Sequence, residues 1–109
     1  MSDFIPAVRA DAFPPGARMT VTAGKREIAL FNIDGRLHAI EGACPHQGGP
    51  MVEGWTADGC VTCPWHAWTF DLETGKMTLG DYAMIDVFDV RVERGIVYVS
   101  SVPREALPQ

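Results

Sequence analysis

Glu27-Ile28-Ala29-Leu30-Phe31-Asn32-Ile33, then Asp34-Gly35, then Arg36-Leu37-His38-Ala39-Ile40 is the stretch on which the fold turns. Two apolar-rich runs are joined by a dipeptide suited to a two-residue type I′ turn, so the stretch predicts a β-hairpin. A second hairpin is expected near the C-terminus. Ile85-Asp86-Val87-Phe88-Asp89-Val90-Arg91-Val92-Glu93 meets Arg94-Gly95, and Ile96-Val97-Tyr98-Val99-Ser100 returns with β-branched residues. Thr20-Val21-Thr22, Val61-Thr62 and Thr69-Phe70-Asp71 are shorter strand candidates, and Leu72-Glu73-Thr74-Gly75-Lys76 has the composition of a turn. No long run repeats apolar residues at helical spacing. The fold class expected is all-β, a small antiparallel sandwich or barrel, with loose ends from Met1 to about Pro6 and from Pro103 to Gln109.

The chain has 109 residues, 47% hydrophobic and 21% charged, which fits one modest globular core and excludes a two-domain enzyme. It carries 9 Lys+Arg against 14 Asp+Glu, a net charge of −5, and its basic residues are scattered. A nucleic-acid footprint needs clustered positive charge, so that class is excluded, whereas an acidic surface suits a basic protein partner. No apolar run is long enough to span a bilayer, and Met1-Ser2-Asp3-Phe4-Ile5-Pro6 has no features of a signal peptide; the expected location is the cytoplasm. Three cysteines, Cys44, Cys60 and Cys63, are an odd number in a reducing compartment, which favours metal or catalysis over a disulfide framework.

The segment from Gly42 to Trp68 differs from its surroundings, holding five of the eleven glycines, three of the eight prolines, and every tryptophan and cysteine. A β-scaffold is expected to present it as an ordered insert. Inside stand Cys44-Pro45-His46 and Cys63-Pro64-Trp65-His66, separated by sixteen residues. Pro45 and Pro64 fix φ directly after each cysteine, and Gly48 and Gly49 allow backbone close to an inorganic centre. Two thiolates and two imidazoles suit tetrahedral zinc or an iron-sulfur cluster. Zinc modules of this ligand set usually pair like with like, whereas one Cys and one His per box fit a 2Fe-2S centre with both cysteines on one iron and both histidines on the other.

These boxes resemble those of the Rieske iron-sulfur proteins, and the resemblance extends from about Thr20 to Ser100. It implies a single domain over residues 1–109, with two stacked antiparallel sheets and a cluster-binding insert at about 42–70. It also implies one 2Fe-2S cluster, with Cys44 and Cys63 on the inner iron and His46 and His66 on the outer iron. In the family's high-potential branch each box has a further cysteine, and a serine and a tyrosine follow the second histidine. Here those positions are Gly49, Trp65, Trp68 and Phe70. Fewer hydrogen bonds to sulfur imply a midpoint in the lower part of the roughly −150 to +300 mV range open to such centres. The proline-containing third loop of many members would fall near Thr78 to Met84, where this chain has no proline.

The low-potential members to which the chain is similar are soluble ferredoxins of bacterial aromatic-ring dioxygenase systems. The resemblance therefore implies a one-electron carrier between a flavoprotein NAD(P)H-dependent reductase and a terminal oxygenase, with no catalysis of its own and no nucleic-acid or membrane partner. Two alternatives stand beside it: the small subunit of an NAD(P)H-dependent nitrite reductase, and a structural zinc module. Outside the four ligand candidates the expectations are ordinary. Cys60 is expected to be a buried, inert strand residue despite its C-x-x-C spacing to Cys63, and His38 a structural or solvated one. Trp55, Trp65 and Trp68 are expected to pack and shield the insert. Glu41, Glu53, Asp58, Asp71, Asp81 and Asp86 are candidates for a docking patch or plain solvated charge.

Overall fold

The computed structural model describes residues 4–23, 26–43, 50–64, 68–78 and 85–104. Among them run nine strands: β1 (Phe4–Arg9), β2 (Arg18–Ala23), β3 (Arg26–Ile33), β4 (Arg36–Glu41), β5 (Trp55–Ala57), β6 (Cys60–Thr62), β7 (Thr69–Asp71), β8 (Val87–Glu93) and β9 (Ile96–Pro103). Short 3-10 turns cover Ala10–Ala12 and Met51–Glu53. The strands form a six-stranded antiparallel sheet, in the order β1-β9-β8-β4-β3-β2, and a three-stranded sheet, β5-β6-β7. The all-β expectation holds. No helix among the described residues is long and apolar enough to cross a membrane.

Both expected hairpins form with the turns their dipeptides favour. Asp34 and Gly35 have φ of 53° and 93°, and Arg94 and Gly95 have 51° and 78°, positive at both central positions as a type I′ turn requires. Asn32 supports the first turn by accepting the Gly35 N–H at 2.9 Å, while its amide donates to the Phe13 carbonyl at 2.8 Å.

The run Ile28-Ala29-Leu30-Phe31 is apolar without alternation because β3 is covered on both faces. Ile28 and Leu30 face a core shared with Phe13, Val21, Ala39, Phe88, Val97 and Val99, with Ile5 and Val8 packed against it, so the six-stranded sheet curls around this cluster. Ala29 and Phe31 point the other way, into a second layer with Ile40, Met51, Val61, Cys63, Phe70, Leu72, Ile85 and Val87. That layer glues the small sheet to the large one. Burying each of its phenylalanines contributes about 1.5–3 kcal/mol.

Two expectations about the chain ends and strand limits need correction. Phe4 to Pro6 are not loose: Phe4 pairs with Ser100, Ile5 with Val99 and Pro6 with Tyr98, because β9 offers an open edge and Ile5 has a core to join. Pro6 is tolerated because β1 is an edge strand. Pro103 likewise belongs to β9, opposite Phe88; residues 105–109 lie outside the described residues. The eighth strand starts at Val87 rather than Ile85. The Ile85 N–H donates instead to Gly75 O at 2.9 Å, and a Cβ at Gly75 would collide with the Ile85 carbonyl. Gly75 also has φ of +78°, so both space and backbone demand glycine there.

Candidate metal centre

The scaffold pins the ends of both cysteine-histidine boxes. At the first, the Gly42 N–H donates to Glu27 O at 2.9 Å, the Met51 N–H donates to Gly42 O at 3.0 Å, and Ala43 bridges to Pro50. A Cβ on Gly42 would lie 2.8 Å from Glu27 O, so only glycine permits this approach. Residues 44–49 therefore connect two positions held side by side on the backbone. At the second, Thr62 pairs with Thr69 and their hydroxyls lie 2.9 Å apart, while the Cys63 N–H donates to Trp68 O at 2.8 Å. The Thr78 N–H donates to Thr69 O at 3.0 Å, which holds Thr78 against β7.

Arg18 braces the two halves. Its Nη1 donates to Val52 O at 3.0 Å and Gly54 O at 2.6 Å, and its guanidinium carbon lies 5.2 Å from the Phe31 ring centroid. Gly54 backs onto β6 so closely that a Cβ there would stand 2.5 Å from Thr62 O, one residue before Cys63. The return from the first box is thus clamped between the large sheet and the strand that delivers the second. Sequence order gives no sign of this, since Arg18 lies 34 and 36 positions from its acceptors. The one local hint is a glycine between Glu53 and Trp55.

Of the four ligand candidates, Cys63 is described; Cys44, His46 and His66 lie outside the described residues, as do Trp65, Asp81 and most of the third loop. Cys63 is wholly buried, unpaired in any disulfide, and walled by Met51, Val61, Phe70 and Leu72. Among the described residues no three His, Cys, Asp or Glu side chains converge, so any centre built on Cys63 takes its other ligands from the rest of the chain. A thiol held in a dry, apolar wall fits the protein side of an iron-sulfur centre.

Cys60 does not join it. Strand alternation turns Val61 and Cys63 inward, whereas Cys60 and Thr62 share the outer face. Burial, followed by the Asp71 and Asp58 carboxylates, pushes the Cys60 thiol above its ordinary pKa, which keeps it protonated and unreactive. Cys60 is half-buried on the outer face rather than in the core, a small correction to the expectation. His38 is a structural residue: its Nδ1 lies 3.8 Å from Glu73 Oε1, and burial outweighs that carboxylate and lowers its pKa.

The tryptophans divide. Trp68 packs on the layer between the sheets, 6.5 Å from the Phe70 ring, as expected for shielding. Trp55 is 65% exposed rather than packed, because it stands on the outer face of an edge strand. Several of the acidic candidates prove structural. Glu41 accepts the Asp86 N–H at 2.9 Å, Asp86 pairs with Arg26 at 3.2 Å, and Asp71 accepts the Glu73 and Thr74 N–H groups at 2.7 and 3.1 Å.

The scaffold is thus a curled six-stranded sheet carrying a second small sheet, with the buried thiol of Cys63 directly after β6. The chain belongs to the Rieske [2Fe-2S] domain family, which matches residues 3–88. One Rieske-type 2Fe-2S cluster is accordingly its cofactor, and the structural-zinc alternative falls away. The chain is 31% identical over 102 residues to the ferredoxin component of the alkene monooxygenase system of Xanthobacter autotrophicus, covering 93% of this chain and 84% of that one. It is 34% identical over 87 residues to the anthranilate 1,2-dioxygenase ferredoxin subunit of Burkholderia cepacia, covering 79% and 78%. It also superposes with a TM-score of 0.83 on a putative NADH-dependent nitrite reductase small subunit from Mycobacterium tuberculosis, at 26% identity and 93% and 96% coverage.

Proposed function

We propose that this chain is a ferredoxin: a single domain that takes one electron at a time from a flavoprotein NAD(P)H-dependent reductase and passes it to a terminal oxygenase. The observation that carries this reading is its match to two relatives named as ferredoxin components over most of their own length. In this reading Cys44 and Cys63 hold one iron and His46 and His66 the other, and the cluster supplies a one-electron couple. The protein's part is then mechanical and electrostatic. Cys63 and its apolar wall exclude water from the thiolate side, and the clamp of Arg18, Gly54 and β6 holds the box ends at a fixed spacing. Little reorganisation on electron transfer is the expected benefit of that rigidity.

The small subunit of a nitrite reductase is a second reading, favoured by the likeness to the mycobacterial protein. The experiment separating them is purification of the native protein from its own cells under reducing conditions. A free chain that a flavoprotein reductase reduces with NAD(P)H supports the carrier. Stable association with a large enzyme that reduces nitrite supports the subunit.

A further inference from the structure

The small sheet has two faces, and among the described residues the outer one is the more exposed, with Trp55 and Ala57 exposed and Cys60, Thr62, Thr69 and Asp71 half-buried. Val61 and Phe70 point inward to the shared core, whereas Trp55, Thr62 and Thr69 lie in register across the outer face, followed by Ala57, Cys60 and Asp71. Trp55 is the most exposed large apolar side chain among the described residues. It stands at the end of the sheet where Thr62 leads into Cys63, and among the described residues its strand, β5, is an edge strand.

Charge is segregated in the same region. Residues 37–75 contain no Lys or Arg and five carboxylates, Glu41, Glu53, Asp58, Asp71 and Glu73; the remainder of the chain carries nine charges of each sign, so the whole net charge of −5 resides here. Glu73 is paired with Arg36, and Arg18 brings one positive charge to the Gly54 end, where its Nη1 is engaged by two carbonyls. Glu53 and Asp58 are exposed, one on either side of Trp55 along the chain.

We infer that the outer face of the small sheet, anchored on Trp55, is the surface on which the electron acceptor docks. This rests on the carrier reading above and names the partner surface. The occupant is the oxygenase component, through an apolar recess ringed by Lys and Arg. An exposed tryptophan supplies rigid contact area at low entropic cost, and the surrounding negative field steers encounter with a basic ring. Burying Trp55 also brings the partner to within one residue of the Cys63 position along the Trp55–Thr62 pairing.

The test uses the cluster-loaded protein, reduced with dithionite, and cytochrome c as a lysine-ringed acceptor. One electron leaves the reduced protein and converts one ferric haem to ferrous, with no atom transferred. Trp55→Ala is expected to slow this second-order rate about tenfold at both low and high salt. Glu53→Gln with Asp58→Asn is expected to slow it at low salt only and to flatten its salt dependence. Trp55→Lys, which places a positive charge against the ring, is expected to slow it further than alanine does. Unchanged visible spectra, melting temperatures and ferricyanide reduction in all three variants show that fold and cluster are intact. Wild-type rates in the Trp55 variants overturn the docking surface while leaving the carrier reading in place. A wild-type protein that reduces neither cytochrome c nor ferricyanide overturns the carrier reading itself. A wild-type dimer that Trp55→Lys dissociates overturns the inference too, by making the face a self-interface.

Discussion

Removing the Arg18 head group is expected to loosen the metal centre before it unfolds the scaffold. Arg18→Met keeps the aliphatic stem and deletes two charge-assisted hydrogen bonds, at 3.0 Å to Val52 O and 2.6 Å to Gly54 O, and the stacking on Phe31 at 5.2 Å. Gly54 is buried, so its carbonyl is left without that donor in a site water reaches poorly, which costs about 1–2 kcal/mol. The Val52 bond is exposed and the ring contact sits at the surface, each contributing roughly 0.5–1 kcal/mol. The total, about 2–4 kcal/mol, falls on the clamp over Met51–Gly54 rather than on the six-stranded sheet. If cluster loss follows local opening of that clamp, its rate rises by roughly thirty- to several hundredfold, since each 1.4 kcal/mol is a factor of ten. The assay is bleaching of the visible absorption under excess iron chelator, run beside thermal melting. Arg18→Lys keeps the charge but not the fork, and should recover part of the difference. Bleaching of Arg18→Met at the wild-type rate would refute the brace.

Two further outcomes are expected. Cys63→Ser should abolish assembly of the cluster, whereas Cys60→Ser should retain full iron, sulfide and colour, because only Cys63 faces the inner layer; metal analysis of the two purified variants decides this. His38 has a pKa below the ordinary 6.5, with burial as the main cause, so the unfolded chain takes up its proton first as pH falls. Its contribution to stability is therefore complete above pH 6.5 and is lost as pH drops below that value toward the lowered folded pKa. Melting temperatures between pH 7.5 and 5.5 should fall more steeply in the wild type than in His38→Gln, and equal slopes would contradict the assignment.

The hairpins were legible because their turns are local chemistry: Asp34-Gly35 and Arg94-Gly95 specify positive φ at two successive positions whatever lies elsewhere. Asp58-Gly59 does the same, with φ of 52° and 77°, but the strands it joins are only three residues long and carry no readable alternation. The first strand was illegible for a different reason. Phe4–Arg9 contains a proline and gains order from pairing with β9, 87 to 96 residues away in sequence, and from the core that Ile5 and Val8 join. The two cysteine-histidine boxes stand out in the sequence because cysteine and histidine are rare and their spacing is specific, while the face each cysteine presents depends on strand phase, which separates Cys60 from Cys63. Arg18 and the exposed position of Trp55 are products of packing between sheets and leave no local pattern.

The most direct test of the whole account is a coulometric redox titration of the purified wild-type protein, followed by its visible absorption. A single wave of one electron per chain is expected, with a midpoint below about +100 mV, in the lower part of the Rieske range. A colourless protein with no wave, or a midpoint above that value, would contradict this expectation.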